Sequence, residues 1–105
     1  MAIEKVWQKL DESSLKRVSG QLGVFELGNK AGEVVYIGVA DARSLFGLHG
    51  ELAAKIGSVE NFRCEVTTAY STRRQELLMQ HHAKHGQYPC LNAVSETLSL
   101  GRLSP

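Results

Sequence analysis

Cysteine is scarce in this chain of 105 residues, and the two cysteines stand far apart in the sequence. Cys64 and Cys90 lack the paired spacing of a zinc-binding motif, and two cysteines are too few for a disulfide framework. Structural disulfides are rare in the reducing cytosol. We therefore expect two reduced thiols in a cytoplasmic protein.

Long apolar runs and an excess of charge of one sign are also absent. No segment approaches the roughly 20 apolar residues of a membrane-spanning helix, and no signal-peptide pattern opens the sequence. The 12 lysine and arginine residues nearly balance the 11 aspartate and glutamate residues. Sequence-independent binding of nucleic acid needs many cationic contacts, so this balance argues against a large DNA-binding surface. The sequence predicts no membrane association, and only local basic patches such as Arg73–Arg74.

The length predicts a single domain over 1–105, with a hydrophobic core of modest size. Apolar residues at helical spacing predict a helix over Ile3–Leu10 that packs Trp7 onto the domain, within a helical N-terminal region at 2–19. The folded core is expected at about 22–92. Residues 93–105 form a C-terminal extension whose pattern predicts no element.

Two segments rich in β-branched and aromatic residues, Leu22–Leu27 and Val34–Val39, predict a β-hairpin. Asn29 and Gly32, which lie between the segments, both tolerate the positive φ of a tight turn. A loop centred between Lys30 and Ala31 would join the two strands.

This loop fixes a register in which Phe25 pairs with Tyr36 and Gly23 pairs with Gly38. Side chains alternate along a strand, so these four residues share one face of the hairpin. Two interpretations remain open for that face. A ligand backbone approaches the bare glycines closely, or the glycines merely relieve crowding inside a core.

Capping and periodicity predict the remaining elements, and together they indicate a small α+β domain. The predicted elements are a helix over 42–56 with Asp41 as its N-cap, a strand over 61–70, and a helix over 72–85 that begins at a Thr72–Gln75 capping box and ends at Gly86.

Three side chains form a candidate phosphodiesterase site. Glu76 is either a solvated helical residue or a magnesium ligand, because Mg²⁺ accepts one or two carboxylates together with water and phosphate oxygens. Tyr36 would act as a general base if a nearby cation lowered its pKa. Arg43 is either a surface residue or a group that stabilises charge on the phosphoryl group.

The four histidines give a weaker signal. His81 and His85 lie one helical turn apart, but no glutamate completes a zinc-protease pattern around them. Histidine is also favourable near a helix C-terminus for electrostatic reasons. We therefore interpret His49, His81, His82 and His85 as structural or surface residues.

An ordered series of short motifs spans most of the chain and resembles the GIY-YIG nuclease family. The motifs are Gly23-Val24-Phe25, Tyr36-Ile37-Gly38, Arg43 or His49, Glu76, and Gly86-x-x-Pro89-x-x-Asn92. The resemblance implies a small central three-stranded antiparallel sheet flanked by helices. It also implies hydrolysis of DNA phosphodiester bonds that depends on Mg²⁺ or Mn²⁺.

The resemblance also assigns roles to residues. Tyr36 is the general-base candidate, Glu76 the metal ligand, and Asn92 a residue that supports the site, while Arg43 or His49 takes the place of the family arginine. The substrate-binding candidates are Gly23, Phe25, Gly38 and Arg73. Two features depart from the family: Phe25 replaces a tyrosine, and the family arginine falls near Phe46 and Gly47.

Three hypotheses follow. The first is a metal-dependent nuclease, and the second is a catalytically degraded GIY-YIG fold that binds nucleic acid or protein, with a protein partner or a homodimer as options. The third is a chance match on an unrelated α+β domain. A structure that places Phe25, Tyr36 and Glu76 at different surfaces would favour the third.

Overall fold

An antiparallel sheet with helices on both faces organises the computed structural model, which describes Ile3 and residues 5–92. The elements in chain order are β1 (Gln8–Lys9), α1 (Glu12–Leu15), β2 (Gly23–Gly28), β3 (Val34–Ala40), α2 (Gly47–Ala53), β4 (Asn61–Val66) and α3 (Tyr70–His85). The strand order is β1-β4-β2-β3. The predicted α+β class is confirmed, with a short fourth strand added to the expected three. The predicted C-terminal extension, 93–105, lies outside the described residues.

β2 lies at the centre of the sheet, and all six of its residues are buried. On one face Phe25 and Leu27 pack under α2. On the other face Val24 packs with Ile37 under α3. A strand covered on both faces needs apolar residues at consecutive positions, as the sequence of β2 provides. None of the helices in the described part of the chain has the length and apolar character needed to cross a lipid bilayer.

The predicted hairpin is confirmed, but its register is wrong by two residues. Phe25 pairs with Gly38 rather than Tyr36, and Gly23 pairs with Ala40. The Asn29 side chain explains the shift, because its Oδ1 accepts hydrogen bonds from the backbone N–H groups of Ala31 and Glu33 and so widens the loop. A two-residue shift preserves the side-chain alternation, so the residues expected on one face still share it.

The N-terminal helix over Ile3–Leu10 is wrong. Gln8 and Lys9 instead form β1, which pairs with the start of β4. The Trp7 ring covers Gly28 of the hairpin, where an added Cβ would lie 2.8 Å from the indole, and it stacks on the Arg63 guanidinium at 4.1 Å. This aromatic contact holds the segment extended along the sheet, so α1 is the only helix described within 2–19.

The helix predicted over 42–56 begins later, at Gly47. Asp41 caps a turn and not a helix, because its carboxylate accepts from the Arg43 N–H at 2.9 Å. Gly47 has a φ of 57°, which a regular helix cannot contain, and an added Cβ there would lie 2.2 Å from the Gly20 carbonyl oxygen. This backbone-to-backbone contact sets the start of α2.

The predicted strand over 61–70 ends at Val66, and its alternation is confirmed. Phe62 pairs with Leu27 on the α2 face, whereas Arg63 pairs with Glu26 on the α3 face. The final helix starts at Tyr70, so the predicted Thr72–Gln75 capping box is wrong, but its end at a left-handed Gly86 is confirmed.

We predict that Gly23→Ala destabilises the fold by about 1–3 kcal/mol, the usual cost of overpacking. The added methyl would lie 2.2 Å from the Glu65 carbonyl oxygen, and neither backbone can move without separating β2 from β4. Urea unfolding of both chains measures the difference.

Gly50→Ala is the matched control for this substitution. Its added methyl meets the Cβ of the exposed Phe46 at 2.9 Å and no backbone of a neighbouring strand, and alanine favours a helix interior. Equal destabilisation by the two substitutions would contradict the packing role of Gly23.

Candidate functional site

The structure places the two principal catalytic candidates on opposite faces of the sheet. Tyr36 lies on the α2 face, where its ring is 6.0 Å from that of Phe25 and 5.2 Å from the Lys55 ammonium nitrogen. Glu76 lies on α3, across the sheet, and forms an ion pair with Arg73. The sheet therefore separates the predicted base from the predicted metal ligand.

Arg73 on α3 forms two ion pairs. Its Nε lies 2.8 Å from a carboxylate oxygen of Glu65 on β4, and its guanidinium also pairs with Glu76. The hydrogen bond to Glu65 is the largest cause of the raised pKa of the Arg73 guanidinium. Both carboxylates are thus engaged by an arginine that ties α3 to the sheet. Within the described residues no group of three His, Cys, Asp or Glu side chains is able to hold a metal ion.

The two candidates for the family arginine make structural contacts. The Arg43 side chain is 92% exposed and pairs only loosely, at 3.4 Å, with Asp41 of its own turn. The His49 Nδ1 lies 2.9 Å from the Leu15 carbonyl oxygen and 3.2 Å from that of Val18, so it fastens the end of α1 to α2.

Asn92 covers part of the outer edge of β3. Its side-chain amide donates to the Ile37 carbonyl and accepts from the Ile37 N–H, both at 3.1 Å. The adjacent Leu91 N–H donates to the Val35 carbonyl at 2.8 Å. The predicted supporting residue therefore substitutes for a neighbouring strand, and it lies buried while doing so.

The glycines and Phe25 belong to the core. An added Cβ at Gly38 would lie 2.6 Å from both the Phe25 and the Tyr36 rings, so the rings already occupy the space above this glycine. Phe25 is almost fully buried. Of the two interpretations of this face, the structure supports relief of crowding.

Backbone hydrogen bonds show which residues of β4 point away from β2. In antiparallel strands the N–H and C=O of one residue point to the same side, and the side alternates along the strand. The Thr67 N–H donates to Leu22, on the β2 side. The Glu60 carbonyl accepts from Leu10, on the β1 side. The N–H and C=O groups of even-numbered residues at and around β4 therefore point away from β2.

Among the described residues, no strand covers the edge of β4 at Cys64 and Val66. β1 pairs only with positions 61 and 62 of β4. No backbone partner from the described residues meets the outward N–H and C=O groups of Cys64 and Val66. Four hydrogen-bonding groups are thus presented in a row, as at the edge of an unfinished sheet.

A cleft of about 460 Å³ runs beside this open edge. Val18, Leu48 and Cys64 contribute to its apolar lining, and Lys5 and Arg17 supply cationic groups, with no acidic side chain in the described lining. Burial raises the pKa of the Cys64 thiol, so this group is protonated and uncharged at neutral pH. The cleft is therefore apolar within and cationic at its margin.

Exposed apolar side chains extend from this cleft. Val6 is 82% exposed and lines the cleft together with Val66. Leu45 and Phe46 are also exposed. Exposed apolar residues beside a cleft, such as Val6 and Val66, are typical of protein interaction surfaces.

Sequence reasoning missed this surface because it assigned the first strand to a helix. With Gln8 and Lys9 in a helix, neither the pairing of β4 nor the length of its open edge was visible. One signal was present: Leu45 and Phe46 are adjacent, so a helix over 42–56 could not bury both on one face.

Comparison with known proteins gives a family but no function. A family model described as "Domain of unknown function (DUF7508)" matches residues 1–84, from the N-terminal segment through most of α3. No curated protein and no solved structure matches the chain.

We predict that Asn92→Ala costs about 1–3 kcal/mol of stability, because the Ile37 N–H and C=O lose their partners in a buried place. Urea unfolding measures the cost, and faster amide exchange at Ile37 locates it. Gln21→Ala, at an exposed side chain, is the control and should change stability by less than about 0.5 kcal/mol. An unchanged Ile37 exchange rate in the Asn92 variant would contradict the edge-closing role.

Proposed function

We propose that this chain, which belongs to the DUF7508 family of unknown function, is a protein-binding module. Its ligand is an extended segment of a partner protein that adds a strand to the outer edge of β4. This proposal develops the protein-binding alternative to a nuclease.

The open backbone edge at Cys64 and Val66 carries the proposal. A bound strand would form up to four main-chain hydrogen bonds with these two residues, accepting from their N–H groups and donating to their carbonyls, which is how strand addition supplies affinity. On the opposite edge of the sheet, β3 is covered by Leu91 and Asn92 at Val35 and Ile37. At β4 the uncovered positions lie beside a cleft, so strand addition there would gain side-chain contacts as well as main-chain hydrogen bonds.

The cleft beside the edge defines the side chains of the partner. Alternate residues of an added strand would point toward the α2 face, where Val18 and Leu48 line the cleft. Lys5 and Arg17 favour acidic residues nearby, since charge complementarity selects the partner and accelerates encounter. The expected ligand is an extended segment that combines an apolar residue with acidic neighbours.

The nuclease function implied by the resemblance has weaker support. It needs Tyr36 and Glu76 beside one Mg²⁺ ion and one phosphate, but the sheet lies between these side chains. Phe25, at the position of the expected tyrosine, is buried in the core and presents no group to a DNA backbone.

We predict that the amides of Cys64 and Val66 exchange quickly with solvent in the free chain. The amides of Arg63 and Glu65 exchange slowly, because they point toward β2 and are paired there. NMR-detected hydrogen exchange resolves the four residues. Equal protection of all four would show that the edge is occupied and would remove the basis of the proposal.

We predict that a display library of random eight-residue peptides yields binders that combine apolar and acidic residues. A synthetic copy of an enriched peptide should protect the Cys64 and Val66 amides. Its affinity should fall about tenfold or more in the Lys5→Glu, Arg17→Glu double variant, which reverses the charge at the cleft margin.

The control is the double variant Lys9→Glu, Lys16→Glu, which makes the same change in net charge at exposed lysines outside the cleft lining. Equal loss of affinity in both double variants would reduce the effect to net charge. A library without binders, or binders that leave the β4 amides unchanged, would refute the proposal.

The nuclease alternative has its own test. Plasmid and branched DNA incubated with the chain and Mg²⁺ should remain intact at all chain concentrations. Nicking that disappears in both Glu76→Ala and Tyr36→Phe would instead establish the metal-dependent reaction and the roles assigned by the resemblance.

A further inference from the structure

A second groove, of about 400 Å³, lies on the opposite side of the sheet from the β4 cleft. It runs between the C-terminal half of α3 and the loop of the β2–β3 hairpin. His81 and His85 form part of its wall, and Gln87 follows them on the loop after α3. Both histidines line the groove and His85 is exposed, so a small ion can reach the pair.

The two imidazoles lie one above the other on a single helical turn. Their ring centroids are 4.4 Å apart and their planes are inclined by 40°. Residues four apart on a helix share a face, and α3 is regular from Tyr70 to His85. The pair therefore presents two nitrogen donors from a rigid element and not from a loop.

A hydrogen bond fixes the tautomer of His81. Its Nδ1 lies 2.9 Å from the Gln87 carbonyl oxygen, which only accepts, so Nδ1 carries the proton. In the neutral ring the lone pair then belongs to Nε2. Metal-binding histidines commonly donate their second nitrogen to a backbone carbonyl in this way, because the bond orients the ring. Within the described residues His85 has no ring hydrogen bond, so either of its nitrogens can present the lone pair.

We propose that His81 and His85 chelate one late first-row divalent cation, of the class Zn²⁺, Ni²⁺ and Cu²⁺. Imidazole nitrogen suits these ions, whereas Mg²⁺ prefers oxygen. The described residues contain no cluster of three metal-binding side chains, so water completes the coordination shell. This site is separate from the peptide cleft and does not depend on it.

The charges around the groove permit a cation. Arg63 is neutralised by Glu26, with its Nε 2.6 Å from the carboxylate. Lys84 and Glu33 are the other charged side chains in the groove lining, and they carry opposite signs. The surroundings of the imidazole pair are therefore close to neutral.

The other two histidines supply matched controls. The His82 ring packs on Tyr88, with centroids 4.7 Å apart, and lies on the same helix. His49 faces the carbonyls of Leu15 and Val18. Among the ring contacts of the described residues, His82 pairs with Tyr88 and neither histidine pairs with a second imidazole.

The test is calorimetric titration of the untagged chain with Zn²⁺ and, separately, Ni²⁺. We expect one ion per chain, and an affinity that falls about tenfold or more in both His81→Ala and His85→Ala, while His82→Ala leaves it unchanged. Mg²⁺ should give no heat of binding at this site. Circular dichroism of each variant establishes that it is folded.

NMR of the unsubstituted chain provides a second measurement that needs no variant. Substoichiometric Zn²⁺ should shift the imidazole signals of His81 and His85 together, ahead of those of His49 and His82. Binding that persists in either single variant, or a loss equal to that in His82→Ala, would overturn the proposal. Simultaneous shifts of all four histidines would do the same, because they would indicate adventitious surface binding.

Discussion

The burial of β2 on both faces and along both edges is the constraint on which the rest of the structure depends. None of its six residues faces water, so each neighbouring strand and helix must pack closely enough to exclude water from β2. Gly23 lets the β4 backbone approach, and Gly38 accepts the Phe25 ring. The one charged residue of β2, Glu26, is held by Arg63, whose guanidinium lies under Trp7. Breaking such a buried pair by removing one partner typically costs about 3–5 kcal/mol.

Because helices cover both faces of β2, the backbone groups that remain exposed in the sheet lie along its two edges. On the β3 side, Leu91 bonds the Val35 carbonyl, and Asn92 bonds the N–H and C=O of Ile37. On the β4 side, the two-residue β1 ends before Cys64. The uncovered part of β4 lies beside a cleft, and this combination is the basis on which we propose a binding module.

Local sequence pattern was sufficient to predict those elements whose structure depends mainly on their own residues. The alternation of β4, the hairpin strands and the end of α3 at Gly86 followed from side-chain periodicity and from glycine's tolerance of positive φ. It failed where a distant contact decides: Trp7 holds its segment against the hairpin, and Gly20 sets the start of α2. The relative placement of Tyr36 and Glu76 could not be predicted for a related reason. Side-chain alternation predicts that Tyr36 lies on one face of the hairpin. No local sequence pattern indicates which face of the sheet is covered by the helix that carries Glu76.

Trp7, the one tryptophan of the chain, has a spectroscopic consequence. Its indole stacks on a guanidinium and covers Gly28, and it directly precedes β1 at the border of the open edge. Indole emission depends on the polarity and charge of its surroundings. The domain therefore carries a built-in fluorophore beside its unfinished edge, where events at that edge can be followed optically without an attached dye.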